Sequence, residues 1–353
     1  MMKILKFLVP IMIAMLFIVG CDTEPPEPEP VGTIADFFPF HENTLIAFDD
    51  PVGPWGSVFY TIYTDGNRMQ RLTRVGQFNA TEVFEISDGE LRIVYANTQA
   101  SGFERMIDNR SETPMIVLKE PLVLGNSWAT HAGPIPDELA RGYSTITSVD
   151  VEIETPYGTV TAIEVSTEFE HGATSVDFFA KGLGLVQSGF STQGFEHDRG
   201  DTRFVQEELQ VDLVLRAITE NTPFEVDYFV IFPNESADDL DFTYGTFQFM
   251  TNDDIRPVFE DILRNPGERE YGLISDNTTI NSIDIARRPN PDNPHFDIAT
   301  VHLDLSSNFA TDMNVGAAYE LLLLESIEFT MREFFNAHEF VLTVDGQPHV
   351  AGH

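Results

Sequence analysis

A chain of 353 residues, 42% of them hydrophobic, is long enough for two or three cores at roughly 100–200 residues per domain. Against 57 Asp and Glu stand 20 Lys and Arg, a net charge of −37 that disfavours nucleic acid and other anionic partners. A single cysteine, Cys21, excludes an intramolecular disulfide and a cysteine-rich metal site.

Residues 1–20 carry Lys3 and Lys6, then an apolar run over 7–19 broken only by Pro10, which is the layout of a signal peptide. The run is short for a span of about 20 residues. Ile18-Val19-Gly20-Cys21 resembles the bacterial lipobox, in which the cysteine becomes the mature N-terminus and carries a diacylglycerol. That resemblance implies lipidation at Cys21, the membrane as a partner through the acylated residue, and a protein on the extracytoplasmic face. Each buried methylene of such an anchor contributes roughly 0.8 kcal/mol, so two or three chains make release rare. Residues 21–33 include DTEPPEPEP, a Pro/Glu-rich spacer with little to bury, which at roughly 3.1 Å per residue lifts the folded part about 30 Å from the lipid. The remaining acidic residues are spread along the chain instead of forming a tail. Self-repulsion on that scale fades at about 1 M salt, where the Debye length is roughly 3 Å, so the composition suits a halophilic, saline setting or an acidic extracellular one.

Residues 34–216 read as a β-rich domain. Turn signals at Asp65-Gly66, Asp88-Gly89 and Tyr157-Gly158 separate β-branched and aromatic runs at 58–63, 91–95, 145–153, 159–167, 175–179, 184–190 and 204–215. Hairpins in sequence predict an antiparallel meander curled into a barrel or sandwich. Phe38-Pro39, the stretch 121–128 ending in Trp128, Thr155-Pro156-Tyr157-Gly158-Thr159, and 179–186 resemble a β-rich domain common in lipoproteins of spore-forming bacteria, to which no reaction is attached. Pro156 and Gly158 shape a turn there, and Gly182 and Gly184 are expected to let backbones pass closely. Trp55 and Trp128 read as core or rim aromatics.

A linker is expected over 217–223, where polar residues break the strand pattern before Pro223. Residues 224–353 then give strands at 224–232 and 243–249 and a helix over 253–264 capped by Asn252 or Asp253, with Pro257 in its first turn. Strands at 279–285 and 298–305 follow, joined by a Pro/Asn-rich loop over 288–294. A long helix over 315–335 carries Leu322, Leu323, Ile327, Met331 and Phe335 on one face and Glu325, Glu328, Arg332 and Asn336 on the other. Phe340, Leu342 and Val344 make a last strand that reverses at Asp345-Gly346.

The order Val301-His302-Leu303-Asp304-Leu305-Ser306, Leu-rich helix, and Asp345-Gly346 to Gly352-His353 resembles the end of the GerMN domain of spore-germination GerM-type lipoproteins. The resemblance implies an α/β sandwich, a mixed sheet with helices on one face. The fold class expected for the whole is therefore α+β: an antiparallel β barrel-like or sandwich domain followed by a GerMN-type α/β sandwich. In its first half the chain departs from the family, replacing a basic strand by Asp241-Phe242-Thr243-Tyr244-Gly245. A function resting on a basic surface is not implied here.

Motifs for chemistry are absent. There is no Walker loop, no dinucleotide fingerprint around Gly182-x-Gly184, and no nucleophile elbow. His41-Glu42 and His338-Glu339 lack a second histidine four residues on. Asp239-x-Asp241-x-Thr243 begins like a calcium loop but has Tyr244 where a glycine is needed. Asp253-Asp254 reads as solvated charge; His302 points to the polar side of its strand and His349 and His353 lie in the terminal return, where a metal site joining the three is the minor alternative and one the resemblance does not imply. Leu321, Leu324 and Phe329 lie off the helix's main buried face, and burial under a neighbouring surface is expected for them. No catalytic residue, cofactor or metal site is expected. The resemblance implies a non-enzymatic scaffold or assembly factor of sporulation or germination, with envelope or sporulation proteins as partners. The alternative is a small-molecule or glycan binder, or a cell-wall hydrolase, using a cavity in the β-rich domain with Trp55 or Trp128 exposed.

Overall fold

The computed structural model describes residues 28–51, 56–76, 78–131, 141–170, 172–191, 193–198, 201–206, 210–236, 238–266, 272–312 and 316–349. Cys21, Trp55 and His353 lie outside them. A short helix, α1 (Ile34–Phe37), precedes β1 (Leu45–Asp49), β2 (Ser57–Asp65), β3 (Arg68–Val75), β4 (Phe78–Ser87), β5 (Glu90–Asn97), β6 (Met115–Lys119) and β7 (Ser127–His131). Then come β8 (Arg141–Thr155), β9 (Gly158–Phe169), β10 (Thr174–Ala180), β11 (Gly184–Ser191), a separate hairpin of β12 (Gln193–Asp198) and β13 (Asp201–Gln206), and β14 (Gln210–Thr219). Twelve of these strands form one sheet in the order β6-β5-β4-β3-β2-β1-β14-β11-β10-β9-β8-β7. Each neighbouring pair is antiparallel. Its two ends meet, because Trp128 Nε1 and Thr130 Oγ1 on β7 both donate to the Ile116 carbonyl of β6, at 3.1 and 2.8 Å. The result is a nearly closed barrel.

The expected meander is thus present, with strands added that the apolar pattern did not reveal. β3 is the clearest, since its arginines are matched in register by partners on β4. Arg68 reaches Glu85 at 2.8 Å, Arg71 reaches Glu82 at 2.7 Å, and Arg74 reaches Asn79 at 3.3 Å. The expected single run over 204–215 is divided between β13 and β14, and β14 continues to Thr219 through the start of the expected 217–223 linker, with Ala217 paired to Ala47. Gly182 and Gly184 do not mediate a close approach: nothing lies within 4 Å of a Cβ at either, and their φ values of +79° and +84° show that the β10–β11 turn needs left-handed backbone.

The N-terminal segment fills the barrel. Val31 donates to the Leu122 carbonyl at 3.1 Å, so the chain is docked before the expected end of the spacer. Phe38 then packs its ring 4.9 Å from Phe84 on β4 and 6.4 Å from Phe179 on β10, bridging opposite walls. In the wall, Asp177 accepts from Ser188 Oγ at 2.6 Å, and burial pushes its carboxyl up to about 6. Because the unfolded carboxyl ionises near 3.8, the native state favours the protonated acid, and stability is lost as pH rises through that interval. Asp177→Asn is therefore expected to raise stability by about 1–3 kcal/mol at neutral pH, with the gain vanishing below about pH 4. Urea titrations at several pH values check this, and a gain independent of pH refutes it.

The C-terminal half begins with a hairpin of β15 (Phe224–Pro233) and β16 (Leu240–Phe249), followed by α2 (Ile255–Arg264). A four-stranded sheet contains β17 (Ile280–Asn290), β18 (Asn293–Leu305), β19 (Glu339–Val344) and β20 (Gln347–Pro348) in that order. α3 (Asn308–Asp312) and α4 (Ala317–Phe335) lie between β18 and β19, whose pairing is parallel. The hairpin is its own two-stranded sheet, so the single mixed sheet of the expected α/β sandwich is not formed. α4 packs along β15 and against β18 and β19, and its Thr330 Oγ1 accepts from the Ile231 amide at 3.0 Å. The cap of α2 is Asp254, whose side chain accepts from the Arg256 amide, not Asn252 or Asp253. Pro257 does fall in the first turn. The expected loop over 288–294 is mostly strand, and Pro289 is accommodated because β17 is an edge with a bulge at Pro289/Asn290.

The two halves share one core. Tyr60, Ile62 and Leu72 of the barrel belong to the same buried cluster as Phe249, Phe259, Val301 and Phe335. The wedge between them is the connection over 98–114, where Phe103, Met106 and Ile107 are buried. Gln70, fully buried on β3, pins it by donating to the Gly102 and Glu104 carbonyls at 3.0 and 2.7 Å and accepting from the Met106 amide at 2.7 Å. Gly102 is required there: its φ is +97°, and a Cβ would sit 2.5 Å from Leu72 Cδ1. On the other side, Thr251 Oγ1 donates to the Thr61 carbonyl at 2.7 Å, and the Asn252 amide to the Ile62 carbonyl at 2.8 Å.

Candidate functional site

Where the barrel meets the C-terminal half lies a cleft of about 790 Å³, within the range of roughly 300–1,000 Å³ usual for ligand sites. One wall is the 98–114 connection with Tyr63 and Tyr95, and the other is β17 with the start of α2. At its base Arg287 of β17 grips Glu104 of the connection, Nε to Oε2 at 3.0 Å and Nη2 to Oε1 at 2.5 Å. The side chains are 9% and 3% exposed. Burial pushes the Glu104 carboxyl up, and the guanidinium opposes that rise. Arg287 Nη1 is buried with no acceptor. Burial raises the Tyr63 phenol to about 12, so it stays a donor, to the Phe103 carbonyl at 3.0 Å.

Several charges near the rim are committed to structure. Asp254 caps α2 and holds Arg256 at 2.6 Å, and Arg256 Nη1 donates to the Asn281 carbonyl at 2.9 Å. Asp253 accepts from the Met250 amide at 2.7 Å, so the Asp253-Asp254 pair is built into the helix start and was not mere solvated charge. By contrast, the carboxylates of Asp284 and Asp297, both lining the cleft, have no partner among the described residues. The neighbouring edge of β17 is also open: after Ile280, whose amide donates to Glu260, and Asn281, no outward backbone group is taken up among the described residues.

A second exposed feature lies on the β15–β16 hairpin. Phe229, Phe242 and Tyr244 touch with ring centroids 5.2–5.7 Å apart, and Phe242 and Tyr244 are 59% and 73% exposed. These belong to the segment 241–245 that departs from the GerMN pattern. The pattern marked the departure but not the exposure, which depends on which face α4 covers.

Other sequence candidates have structural places. Residues 241–243 are strand, paired with 230–232, so their backbone carbonyls are not disposed as a calcium loop. Glu42 accepts from Thr64 Oγ1 at 2.7 Å, and His338 Nδ1 from the Ala299 amide at 3.3 Å. Glu339 pairs with Arg288 at 2.8 Å. His349 lies edge-on to Phe309, with its amide donating to the Leu342 carbonyl at 3.1 Å, and His302 sits opposite Asp284. Leu324 packs on the core and Phe329 is half-buried, whereas Leu321 is 60% exposed, contrary to the expected cover. Trp128 is buried, and the cavity inside the barrel beside Phe38 and Arg71 is about 30 Å³, well below the roughly 300–1,000 Å³ usual for ligand sites. The cleft and the 98–114 wedge were missed; the one available signal was the length of that connection.

No protein-family model and no curated protein matches the chain. Two solved structures are similar over 52% of it: a protein of YmcC-like fold from Bacteroides fragilis, named as a candidate exported protein, and a candidate lipoprotein from Parabacteroides distasonis. The first has 15% identity, a TM-score of 0.31 and 99% of its own length covered. The second has 13%, 0.30 and 98%. No helix among the described residues is long and apolar enough to cross a membrane.

Proposed function

We propose that this is a lipid-anchored protein of the extracytoplasmic face, held by Cys21, that works by contact with another envelope protein and not by turnover. The observation that carries this reading is an unpaired sheet edge opening on a cleft whose principal charged pairs are locked in structural bonds. A cell-wall hydrolase would instead need carboxylates poised across a substrate, whereas Asp284 and Asp297, the cleft's unpartnered pair, stand on adjacent strands of one sheet. The GerMN resemblance makes assembly of a sporulation or germination complex the setting. The alternative that places a ligand inside the barrel meets, beside Phe38 and Arg71, a cavity of about 30 Å³, about a tenth of the smallest usual ligand site.

Photo-cross-linking in intact cells tests the proposal, with the reactive group placed at Ser282 on β17, at Tyr244, or at Tyr157 on the far β8–β9 turn. A discrete envelope-protein adduct is expected from Ser282 or Tyr244 and not from Tyr157. Recovery of the mature protein with Cys21 unmodified, or conversion of a wall-derived substrate by purified protein, overturns the proposal.

A further inference from the structure

We infer that the outer edge of β17 receives an extended, Lys- or Arg-bearing peptide segment of the partner as an added strand. The inference rests on the contact reading above and names the chemistry of what is contacted. Strand addition needs a sheet edge with unused amides and carbonyls, space beside it, and groups that select side chains. All three coincide here. β17 is the terminal strand of its sheet, and beyond Asn281 its outward backbone is unpartnered among the described residues. The α2 side chains Glu260 and Arg256 close off the first positions, so the open part begins at Ser282 and runs beside the cleft.

Charge selects the occupant. With Glu104 held by Arg287 and Asp254 by Arg256, the uncommitted charges along this edge are the carboxylates of Asp284 and Asp297. Arg105 is the cation on the opposite rim, and it is drawn toward Asp65 at 3.6 Å and over the Tyr63 ring at 5.5 Å. An incoming anionic strand would face those two carboxylates within a molecule of net charge −37. A cationic one is attracted by both the local and the overall field.

The test uses the full mature chain and three capped decapeptides, one alternating Lys and Thr, one alternating Glu and Thr, and the Lys peptide with two central Thr replaced by Pro. The proline peptide keeps the charge but cannot complete a ladder. In about 0.2 M salt, where diffuse attraction is screened, the Lys peptide is expected to bind and to slow amide exchange over 282–288 by about tenfold or more. The proline peptide should bind about tenfold more weakly and the Glu peptide not at all. Asp284→Asn with Asp297→Asn should weaken the Lys peptide about fivefold or more, while the charge-matched pair Asp150→Asn with Glu154→Gln on the barrel should not. Equal binding of the Lys and proline peptides, protection outside β17, or no binding overturns the inference. If those arms fail while cells yield an adduct through Tyr244, contact remains the function and strand addition at β17 is wrong.

Discussion

Replacing Arg287 by alanine is expected to cost about 3–5 kcal/mol of stability, since it leaves Glu104 buried without its partner. The expected size comes from the desolvation of one charge and not from the worth of the pair itself. Two controls follow. Arg287→Met combined with Glu104→Leu should be nearly neutral, because two apolar groups need no hydrogen bonds. The single variant should also recover part of its loss on acidification. Burial already raises the Glu104 carboxyl, and removing the guanidinium removes what opposes that rise. The group then takes up a proton in the native state at a higher pH than in the unfolded one, so its penalty is present at neutral pH and declines as pH falls through the raised value. Urea unfolding of the three variants at neutral and mildly acidic pH checks all of this. A loss below about 1 kcal/mol for Arg287→Ala would mean that water reaches the pair and that the cleft base is looser than its geometry.

Phe103→Ala should have a comparable effect, about 3–5 kcal/mol, through lost apolar burial and the cavity left behind. The ring belongs to the barrel's 98–114 connection but packs on the other half, with centroids 5.2 Å from Phe249, 5.7 Å from Phe334, 6.2 Å from Phe247 and 6.4 Å from Phe224. Its loss should therefore do more than lower a midpoint. The parent chain, with one core across the seam, is expected to unfold in a single transition, and Phe103→Ala in two separable ones monitored by far-UV circular dichroism and tyrosine fluorescence. Phe78→Ala, at a side chain 80% exposed, should stay within about 0.5 kcal/mol of the parent. Parallel behaviour of the two variants would show that the halves are merely adjacent.

The sequence alone was enough for those elements whose signal is local. Asp88-Gly89 and Asp345-Gly346 both take positive φ at each central residue, because short side chains and glycine tolerate the left-handed region that a tight hairpin demands. The long helix, its buried Leu323, Ile327, Met331 and Phe335, and the strands at 298–305 and 339–344 follow from periodicity, since one face of each meets a core. Lipidation at Cys21 is likewise an expectation from the local sequence, Ile18-Val19-Gly20-Cys21.

What only the tertiary structure decided is where polar residues do structural work. β3 was illegible because Arg68, Arg71 and Arg74 break the apolar alternation, and their compensation lies on the next strand, which periodicity cannot register. Nothing local in the 98–114 connection singles it out, and Gln70 and Phe103 make it the wall of a cleft through contacts with residues far away in sequence. Whether β17 is an edge, and whether Phe242 and Tyr244 face water, depends on strand order and on the face that α4 covers. Local sequence sets what a segment can become; the pairing of distant segments sets which of its groups are left over for a partner.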